Sequence, residues 1–222
     1  MLQQINKKII FYISLLIILG TFNNKTLKNF DLPKISMIKI EGIEFNNNEY
    51  SKIINLIKLD NLLSIQRSQI KEILNSNNLI EEYEVFKRYP SSIEIKIEKT
   101  NFLASTNING KNYIVGSNGK FINIKDYSQN LPFVFGNFET EKFLEFRNII
   151  LQTEFKYNNI KNFYYFPSGR WDIEMNSGVL IKLPISGIKH SLNLSIDLLD
   201  NMEFSNIKIL DIRQKNQIVI ND

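Results

Sequence analysis

The chain has 222 residues, of which 43% are hydrophobic, and its 27 basic and 23 acidic residues leave a net charge of only +4. This length allows one or two domains with buried cores, because a domain commonly takes ~100 to 200 residues. The sequence contains no cysteine and only one histidine, His190, which excludes disulfides and a cysteine nucleophile and argues against a zinc site or a histidine-dependent hydrolase triad.

No other pattern suggests catalysis or a ligand site. The charges are well mixed, whereas nucleic-acid-binding proteins concentrate basic residues on one face. There is no aspartate-rich calcium loop, and His190 lies in the polar stretch KHSLN at the start of a predicted helix. We therefore predict a protein that is not an enzyme, with no catalytic residue, metal, cofactor, nucleic acid or small-molecule substrate.

The first feature along the chain is an uncharged run at residues 9 to 22, IIFYISLLIILGTF, which follows Lys7 and Lys8. As a helix it would reach ~21 Å, short of the ~30 Å hydrocarbon core, and this length favours a cleaved signal peptide. No small-x-small cleavage pattern follows, however, and flanking lysines can snorkel, which favours an uncleaved anchor. Both interpretations remain open, and both send the rest of the chain across a membrane. The predicted anchor residues are Ile9, Phe11, Leu15, Leu16, Ile18, Leu19 and Phe22.

The next block predicts the order strand, helix, helix, strand, strand. Alternation ending at Gly42 indicates a strand, and apolar residues spaced i, i+3, i+4 and i+7 indicate a helix after the capping residues 46–48. A second helical stretch ends near residues 75–78, and a hairpin follows, with strands at about 82–88 and 93–99 around a turn at 89–92. The helical positions are Tyr50, Ile53, Ile54 and Ile57 in the first helix and Ile70, Ile73 and Leu74 in the second.

The hairpin begins with a basic cluster, Lys87 and Arg88, which fits either a phosphate site or the solvent-facing end of a strand. Its remaining residues favour the strand, because Ile93, Ile95 and Ile97 alternate with charged residues. Together with the strand that ends at Gly42, this pattern resembles a POTRA domain, in which two helices pack on a three-stranded sheet. The residues that carry the resemblance are Val85, Arg88, Tyr89, Pro90, Ile93, Ile95, Ile97 and Glu98.

Residues 104–222 predict a second α/β domain with a mainly antiparallel sheet. Short strands with Asn/Gly turns at about 111–135 precede a helix from about 139 to 155, and two strands follow within residues 162–184 around the turn at Asn176-Ser177-Gly178. A helix with apolar residues at Ile188, Leu192, Ile196 and Leu199 leads to a strand near 207–213 and a last strand near Gln217 to Ile220. Trp171 alternates with Ile173 and Met175, so we predict that it lies in the core.

The whole chain, read in order, resembles the FtsQ/DivIB cell-division family. The residues that carry this resemblance are Arg170-Trp171-Asp172-Ile173, Gly178, Leu183-Pro184, Asp211-Ile212-Arg213 and the segment from Leu131-Pro132 to Gly136. The resemblance implies an α+β protein with a cytoplasmic tail (1–8), a single N-terminal transmembrane helix (9–22), a linker (23–34), a POTRA domain (35–103) and a C-terminal domain (104–222). It also implies a single-pass type II protein of the bacterial inner membrane, with its soluble domains in the periplasm at the division septum.

In function, the resemblance implies a non-enzymatic scaffold that links early and late division proteins and holds the FtsB/FtsL coiled-coil pair. The residues suggest a route, since an edge strand offers unpaired N–H and C=O groups to an added strand, and arginine binds a carboxylate in a bidentate way. Arg170 and Arg213 also fit a second role, in which they brace the sheet internally. The predicted partner-binding residues are Arg170, Arg213, Gln214, Gln217, Ile218, Val219 and Ile220.

The main alternative is a POTRA-containing envelope protein-assembly or secretion factor. Such a protein needs many alternating strands for a barrel after its POTRA domain. The roughly hundred residues that follow here contain two helical stretches and too few strands, which favours the division scaffold.

Overall fold

The computed structural model describes residues 7–22, 33–42, 51, 53–55, 57, 61–123, 130–200, 207–214 and 217–221. An N-terminal helix, a three-stranded sheet and a nine-stranded sheet make up the main elements in these ranges. Two buried clusters, drawn from residues 35–97 and 103–212, share no side chain. The predicted α+β class is confirmed.

Helix α1, Lys7–Phe22, is apolar on every side rather than along one stripe. Its large apolar side chains from Ile9 to Leu19 are 41–73% exposed. Over the described ranges, no helix combines the length and the hydropathy needed to span a membrane.

The first sheet consists of β1 (Met37–Glu41), β2 (Ile80–Arg88) and β3 (Ser92–Lys99) in the order β1-β3-β2. Strand β3 pairs in parallel with β1 and antiparallel with β2. Residues 51, 53–55 and 57 are helical, and α2 spans Arg67–Ser76. This is the predicted element order, although Tyr50 and the predicted capping residues 46–48 lie outside the described residues.

Local contacts explain how this sheet closes and correct one prediction. Gly42 has φ +101°, and a side chain there would collide with the carbonyl oxygen of Ile97, so the strand end requires glycine. The prediction that Lys87 faces solvent is wrong. Its Nζ donates to the carbonyl oxygen of Leu62 at 2.5 Å, because the 62–65 loop turns carbonyl groups toward the strand and an amine can satisfy them.

The second sheet is formed by nine strands in the order β12-β11-β10-β9-β8-β7-β4-β5-β6. Five of its strand pairs are antiparallel and three are parallel, so the sheet is mixed. Helices α3 (Thr140–Leu151) and α4 (Ile188–Leu199) pack on one face. The strands are β4 (Phe102–Ile108), β5 (Lys111–Gly116), β6 (Phe121–Ile122), β7 (Phe133–Phe135), β8 (Ile160–Tyr165), β9 (Trp171–Met175), β10 (Leu180–Lys182), β11 (Ile209–Gln214) and β12 (Gln217–Asn221).

The core of this domain is aromatic, and it confirms the prediction for Trp171. That side chain is 3% exposed, and its ring stacks on Phe146 of α3 at 4.9 Å and 3°. Leu192 of α4 is fully buried in the same cluster. Both helices cover the face that carries Trp171. On the opposite face, from β7 to β12, most side chains stay partly exposed, and Asp172 is a buried exception.

Three sequence predictions need correction in this domain. Strand β4 was not predicted, and three strands, not two, lie between residues 160 and 182. Helix α3 ends at Leu151 instead of near residue 155. The reason is that Thr153 donates both its N–H, at 3.0 Å, and its hydroxyl, at 2.7 Å, to the carbonyl oxygen of Ile150, which closes the last turn.

A polar contact joins the two sheets where β5 turns into β6. Asn118 Nδ2 donates to the carbonyl oxygens of Asn78 and Ile80, both at 2.9 Å, and Asn78 Nδ2 donates to the carbonyl oxygen of Phe121 at 2.8 Å. Ser117 Oγ also reaches Glu81 Oε2 at 2.7 Å. We call these residues the interdomain contact, and they fix the turn of the second domain on the start of β2.

Candidate functional site

The exposed face of the second sheet is ordered by the register of its strands. Residues that are Cα partners in a ladder lie on the same face, so a row can be followed from strand to strand. One row crosses six strands: Val219, Asp211, Lys182, Asp172, Tyr164 and Phe135. A second row lies beside it: Asn221, Ile209, Leu180, Glu174, Asn162 and Phe133.

Two ion pairs lie along the first row, one at β9 and one at β11. Arg170 donates to Asp172 through Nε at 3.1 Å and Nη2 at 3.3 Å. Arg213 donates to Asp211 through Nε at 2.8 Å and Nη2 at 2.6 Å. We call Arg170, Asp172, Lys182, Asp211 and Arg213 the charged cluster; its three cations and two carboxylates leave one net positive charge.

Lys182 lies in the middle of this cluster. It is the register partner of Asp172 on one side and of Asp211 on the other. Because each carboxylate also has its own arginine, the two anions are well compensated. The remaining positive charge therefore favours binding of one further carboxylate over binding of another cation.

The two carboxylates of the cluster, Asp172 and Asp211, have pKa values shifted in opposite directions. Asp172 is 3% exposed, and its burial raises its pKa despite the hydrogen bonds from Arg170. Hydrogen bonds from Arg213 lower the pKa of Asp211, and the same contact raises the pKa of Arg213. Both predicted arginines thus contribute to internal bracing, and Arg213 is the more accessible, with 43% of its side chain exposed against 21% for Arg170.

The second row contains a fixed carboxylate, Glu174. It accepts hydrogen bonds from Tyr164 Oη at 2.6 Å, Asn162 Nδ2 at 2.8 Å and Lys161 Nζ at 3.1 Å. These bonds, that from Tyr164 foremost, lower the pKa of Glu174 to about 2. Since Lys161 offsets its charge, Glu174 orients its neighbours and adds little net charge to the face.

Strand β12 stands at one end of the nine-stranded sheet. Its inner edge pairs antiparallel with β11, and a register shift lies between Asp211 and Gln214. Ile218 and Val219 are 37% and 52% exposed, whereas Ile220 packs against the core. The predicted residues Arg213, Gln214, Gln217, Ile218 and Val219 therefore meet at one accessible edge, and Arg170 lies two strands farther into the sheet.

Two cavities lie at the charged cluster and beside β12. One of about 420 Å³ opens on the exposed face and is lined by Tyr164, Arg170, Asp172, Lys182 and Arg213, among others. Another, of about 640 Å³, lies between the start of α4 and β12. Within the described ranges, no group of three or more histidine and acidic side chains is arranged to hold a metal ion. The charged cluster and strand β12 can therefore recognise a partner through charge and through backbone pairing.

Sequence reasoning found the arginines but missed Lys182, Tyr164 and Glu174 as their neighbours. The pairs Arg170–Asp172 and Arg213–Asp211 were visible in principle, because residues two apart in a strand share a face. The position of Lys182 depends on the parallel pairing of β10 with β11. These two strands are joined through α4, and no local pattern predicts their pairing.

The chain is similar to known cell-division proteins. A family model described as "Cell division protein FtsQ/DivIB, C-terminal" matches residues 104–213. The cell division protein FtsQ of Rickettsia bellii is 29% identical over 196 residues, and that of Rickettsia conorii is 26% identical over 196 residues; each alignment covers 84% of this chain and 72% of the relative. The major extracytoplasmic domain of the trans isomer of DivIB from Geobacillus stearothermophilus aligns with a TM-score of 0.36 at 14% identity, over 50% of this chain and 99% of that one.

Proposed function

Because this chain belongs to the FtsQ/DivIB cell-division family, we propose that it is a non-enzymatic scaffold of the division machinery. It links early and late division proteins and binds a coiled-coil pair of the FtsB/FtsL type through its second domain. Residues 35–103 form a POTRA domain, and residues 104–222 form the partner-binding domain. The observation that carries the proposal is the accessible end strand β12 beside the charged cluster.

Helix α1 anchors this scaffold in the inner membrane, with the soluble domains in the periplasm at the septum. Apolar side chains cover every side of α1, and a helix of that kind needs an apolar environment all round. Its 16 residues reach ~24 Å, somewhat less than the ~30 Å hydrocarbon core. Snorkelling of Lys7 and Lys8 and local thinning of the bilayer accommodate a difference of this size.

Strand addition at β12 provides the main binding contact. The outer edge of β12 faces no other strand within the part of the chain that the structure describes. An extended partner segment can pair with its N–H and C=O groups, and the exposed side chains of Ile218 and Val219 then meet alternate residues of that segment. Backbone pairing supplies affinity that depends little on sequence, so the neighbouring side chains must supply selectivity.

The charged cluster supplies that selectivity. Its net positive charge favours a partner residue with a carboxylate near Arg213, and the guanidinium has donors beyond the Nε and Nη2 that contact Asp211. A basic partner residue at the same place would be repelled. The partner strand is therefore expected to be flanked by an acidic side chain.

Depletion of the protein in growing cells tests the function as a whole. Cells that lack a division scaffold continue to elongate without septa, so we expect long unseptated filaments by microscopy. Re-expression of the full chain should restore septa within a few generations. Depleted cells that keep normal length and normal septation would contradict the proposal.

A further inference from the structure

The chain that comes from α1 joins the first domain at one end of its sheet. Lys34 pairs with Asn61, and the N–H of Ser36 donates to the carbonyl oxygen of Ser91 at 2.9 Å. These contacts bring the arriving chain beside the turn between β2 and β3. We call this part of the first domain the hairpin end; it comprises residues 33–37, 61–66 and 87–92.

Three large apolar side chains are exposed at the hairpin end. Tyr89 is 68% exposed, Leu63 63% and Met37 62%, and no other large apolar side chain among the described residues of the first domain is as exposed. Leu63 and Tyr89 lie on either side of Lys87, whose amine bonds to the loop that carries Leu63. Single exposed apolar residues are ordinary, but their concentration at one end of a domain indicates a contact surface.

The hairpin end is also basic. Its charged residues are Lys34, Lys87 and Arg88, and none of its residues is acidic. Glu94, just beyond it, pairs with Arg88 at 3.0 Å and offsets one of the three charges. The opposite end of the sheet carries five carboxylates and two lysines, in residues 40–42, 79–84 and 96–100. The first domain is thus basic where the chain from α1 arrives and acidic where it continues to the second domain.

We infer that the hairpin end docks on the surface of the membrane that holds α1, with its apolar side chains among the headgroups of anionic lipids. The inference rests on the proposed anchoring of α1 and adds a second membrane contact to it. Tyrosine is suited to this boundary, because its ring is apolar and its hydroxyl stays in water. Lys34 and Arg88 are attracted by the negative charge of the lipids.

The length of the chain brings this end to the bilayer. Ten residues separate Phe22 from Pro33, and even fully extended they span at most ~40 Å. The anchor therefore raises the local concentration of the hairpin end at the membrane, so that a few weak contacts are enough for docking. Because the second domain continues from the opposite end of β3, docking turns that domain away from the bilayer.

Fluorescence quenching by labelled lipids tests the docking in the full-length chain. The sequence has no cysteine, so an environment-sensitive dye can be attached at one introduced cysteine: Leu63→Cys at the hairpin end, Glu98→Cys at the opposite end as a control, or Ser14→Cys in α1. The vesicles contain phosphatidylcholine, alone or mixed about two to one with phosphatidylglycerol. Spin labels lie on the lipid headgroups for positions 63 and 98 and on the acyl chains for position 14.

We expect quenching at position 63 but not at position 98. The ratio of docked to undocked protein at position 63 should be at least about fivefold higher in the vesicles with phosphatidylglycerol. Equal quenching of position 63 in both kinds of vesicle, or equal quenching at positions 63 and 98, would overturn the inference. A blue shift at position 63 without quenching by lipid would also overturn it, because a protein surface, such as a second copy of this chain, then covers this end.

Position 14 separates the inference from the proposed anchoring. Quenching at position 14 without quenching at position 63 overturns the docking and leaves α1 as the anchor. No quenching at position 14 contradicts the anchoring, and with it the docking.

Two charge-reversal variants supply a matched comparison. Lys34→Glu at the hairpin end and Lys111→Glu in the second domain each reverse the charge of an exposed lysine, and both carry the dye at Leu63→Cys. We expect Lys34→Glu to lower the ratio of docked to undocked protein by about fivefold or more in the anionic vesicles, and Lys111→Glu to leave it unchanged. The same ratio in both variants would contradict docking on anionic lipid.

Discussion

Asn118 of the second domain donates its side-chain amide to the carbonyl oxygens of both Asn78 and Ile80 of the first. One side chain thus holds two backbone groups across the joint between two separate cores. Lys120 adds a donor to the carbonyl oxygen of Asn75 at 3.0 Å. The relative orientation of the two domains therefore depends on a few polar groups rather than on a shared hydrophobic interior.

The first prediction concerns this joint. Asn118→Ala leaves the two carbonyl groups without their donor, and we expect it to lower the free energy of unfolding by about 1–2 kcal/mol. It should also separate the unfolding of the two domains. Trp171, the single tryptophan, reports on the second domain by fluorescence, and circular dichroism reports on both. We expect the two urea transitions to coincide in the wild-type chain and to diverge in the variant.

The matched control for the joint is Asn193→Ala, at an exposed position of α4. It removes the same amide from the same domain, far from the first sheet, and should leave the two transitions coincident. If Asn118→Ala also keeps them coincident and retains its stability, the interdomain contact does not couple the domains.

A second prediction follows from the lowered pKa of Glu174. Its pKa in the folded protein is about 2, below the ordinary value of 4.5, so its ionised form stabilises the fold at pH above about 4.5. That contribution is lost as the pH falls from about 4.5 to about 2. Glu174→Gln should therefore be less stable at pH 7 and should lose stability less steeply over this acid range.

Urea unfolding followed by Trp171 fluorescence at pH 7, 4.5 and 3 measures this effect. Glu154→Gln, at an exposed position after α3, serves as the control and should keep the wild-type acid dependence. An unchanged acid slope in Glu174→Gln would show that the hydrogen bonds of Tyr164 and Asn162 do not hold the carboxylate in solution.

The third prediction tests the charged cluster. Arg213→Glu changes the net charge of the cluster from +1 to −1, and it should weaken recovery of the coiled-coil partner by more than about tenfold, because a partner carboxylate is then repelled. Arg88→Glu is the matched control, since Arg88 is also an exposed arginine paired with a carboxylate, Glu94 at 3.0 Å, but in the first domain. Equal recovery of the partner with both variants would remove the charged cluster from the binding surface.

The fourth prediction tests strand addition with two adjacent prolines. The N–H groups of successive strand residues point to opposite edges, so one of Ile218→Pro and Val219→Pro removes an outward donor while the other disturbs the pairing with β11. We expect both variants to lose the partner, but only one to lose stability. The informative variant is the one that unfolds like the wild type. If it still recovers the partner in full, the partner does not add a strand at β12.

The fifth prediction concerns α1. Alkaline phosphatase fused to the carboxyl end should be active, because the enzyme folds only outside the cytoplasm, and the amino-terminal peptide should remain attached in the purified protein. Mass spectrometry of the intact chain distinguishes an anchor from a cleaved signal peptide. An inactive fusion would place the soluble domains in the cytoplasm and contradict the proposed scaffold.

Local patterns predicted the elements whose burial is regular. Helix α4 was predicted from the spacing of Ile188, Leu192, Ile196 and Leu199, and the hairpin of β2 and β3 from the alternation around Pro90; both are confirmed. Strand β4 was missed because FLASTNI places the small or polar residues Ala104 and Thr106 at buried positions. Thr106 is accepted there because its hydroxyl donates to the carbonyl oxygen of Val134 at 2.9 Å.

For the candidate site, the sequence predicted only the contacts between residues of the same strand. Asp211 and Arg213 could be placed together because they share a face two residues apart. The row that joins Asp211 to Phe135 crosses parallel and antiparallel pairs in turn. It joins residues that are far apart in the sequence, and no pattern within a single strand gives its register.

The composition of β12 has a consequence for how much of this protein a cell can tolerate. The strand, QIVIN, contains no charge and no proline, the features by which edge strands usually avoid pairing with copies of themselves. When this protein is in excess over its partner, the unpaired edge of β12 is therefore exposed, and copies of the protein are prone to aggregate through it. Balanced synthesis of this protein and its partner would keep the edge paired. Overproduction of this protein alone should yield insoluble material, and co-production of the partner should prevent this.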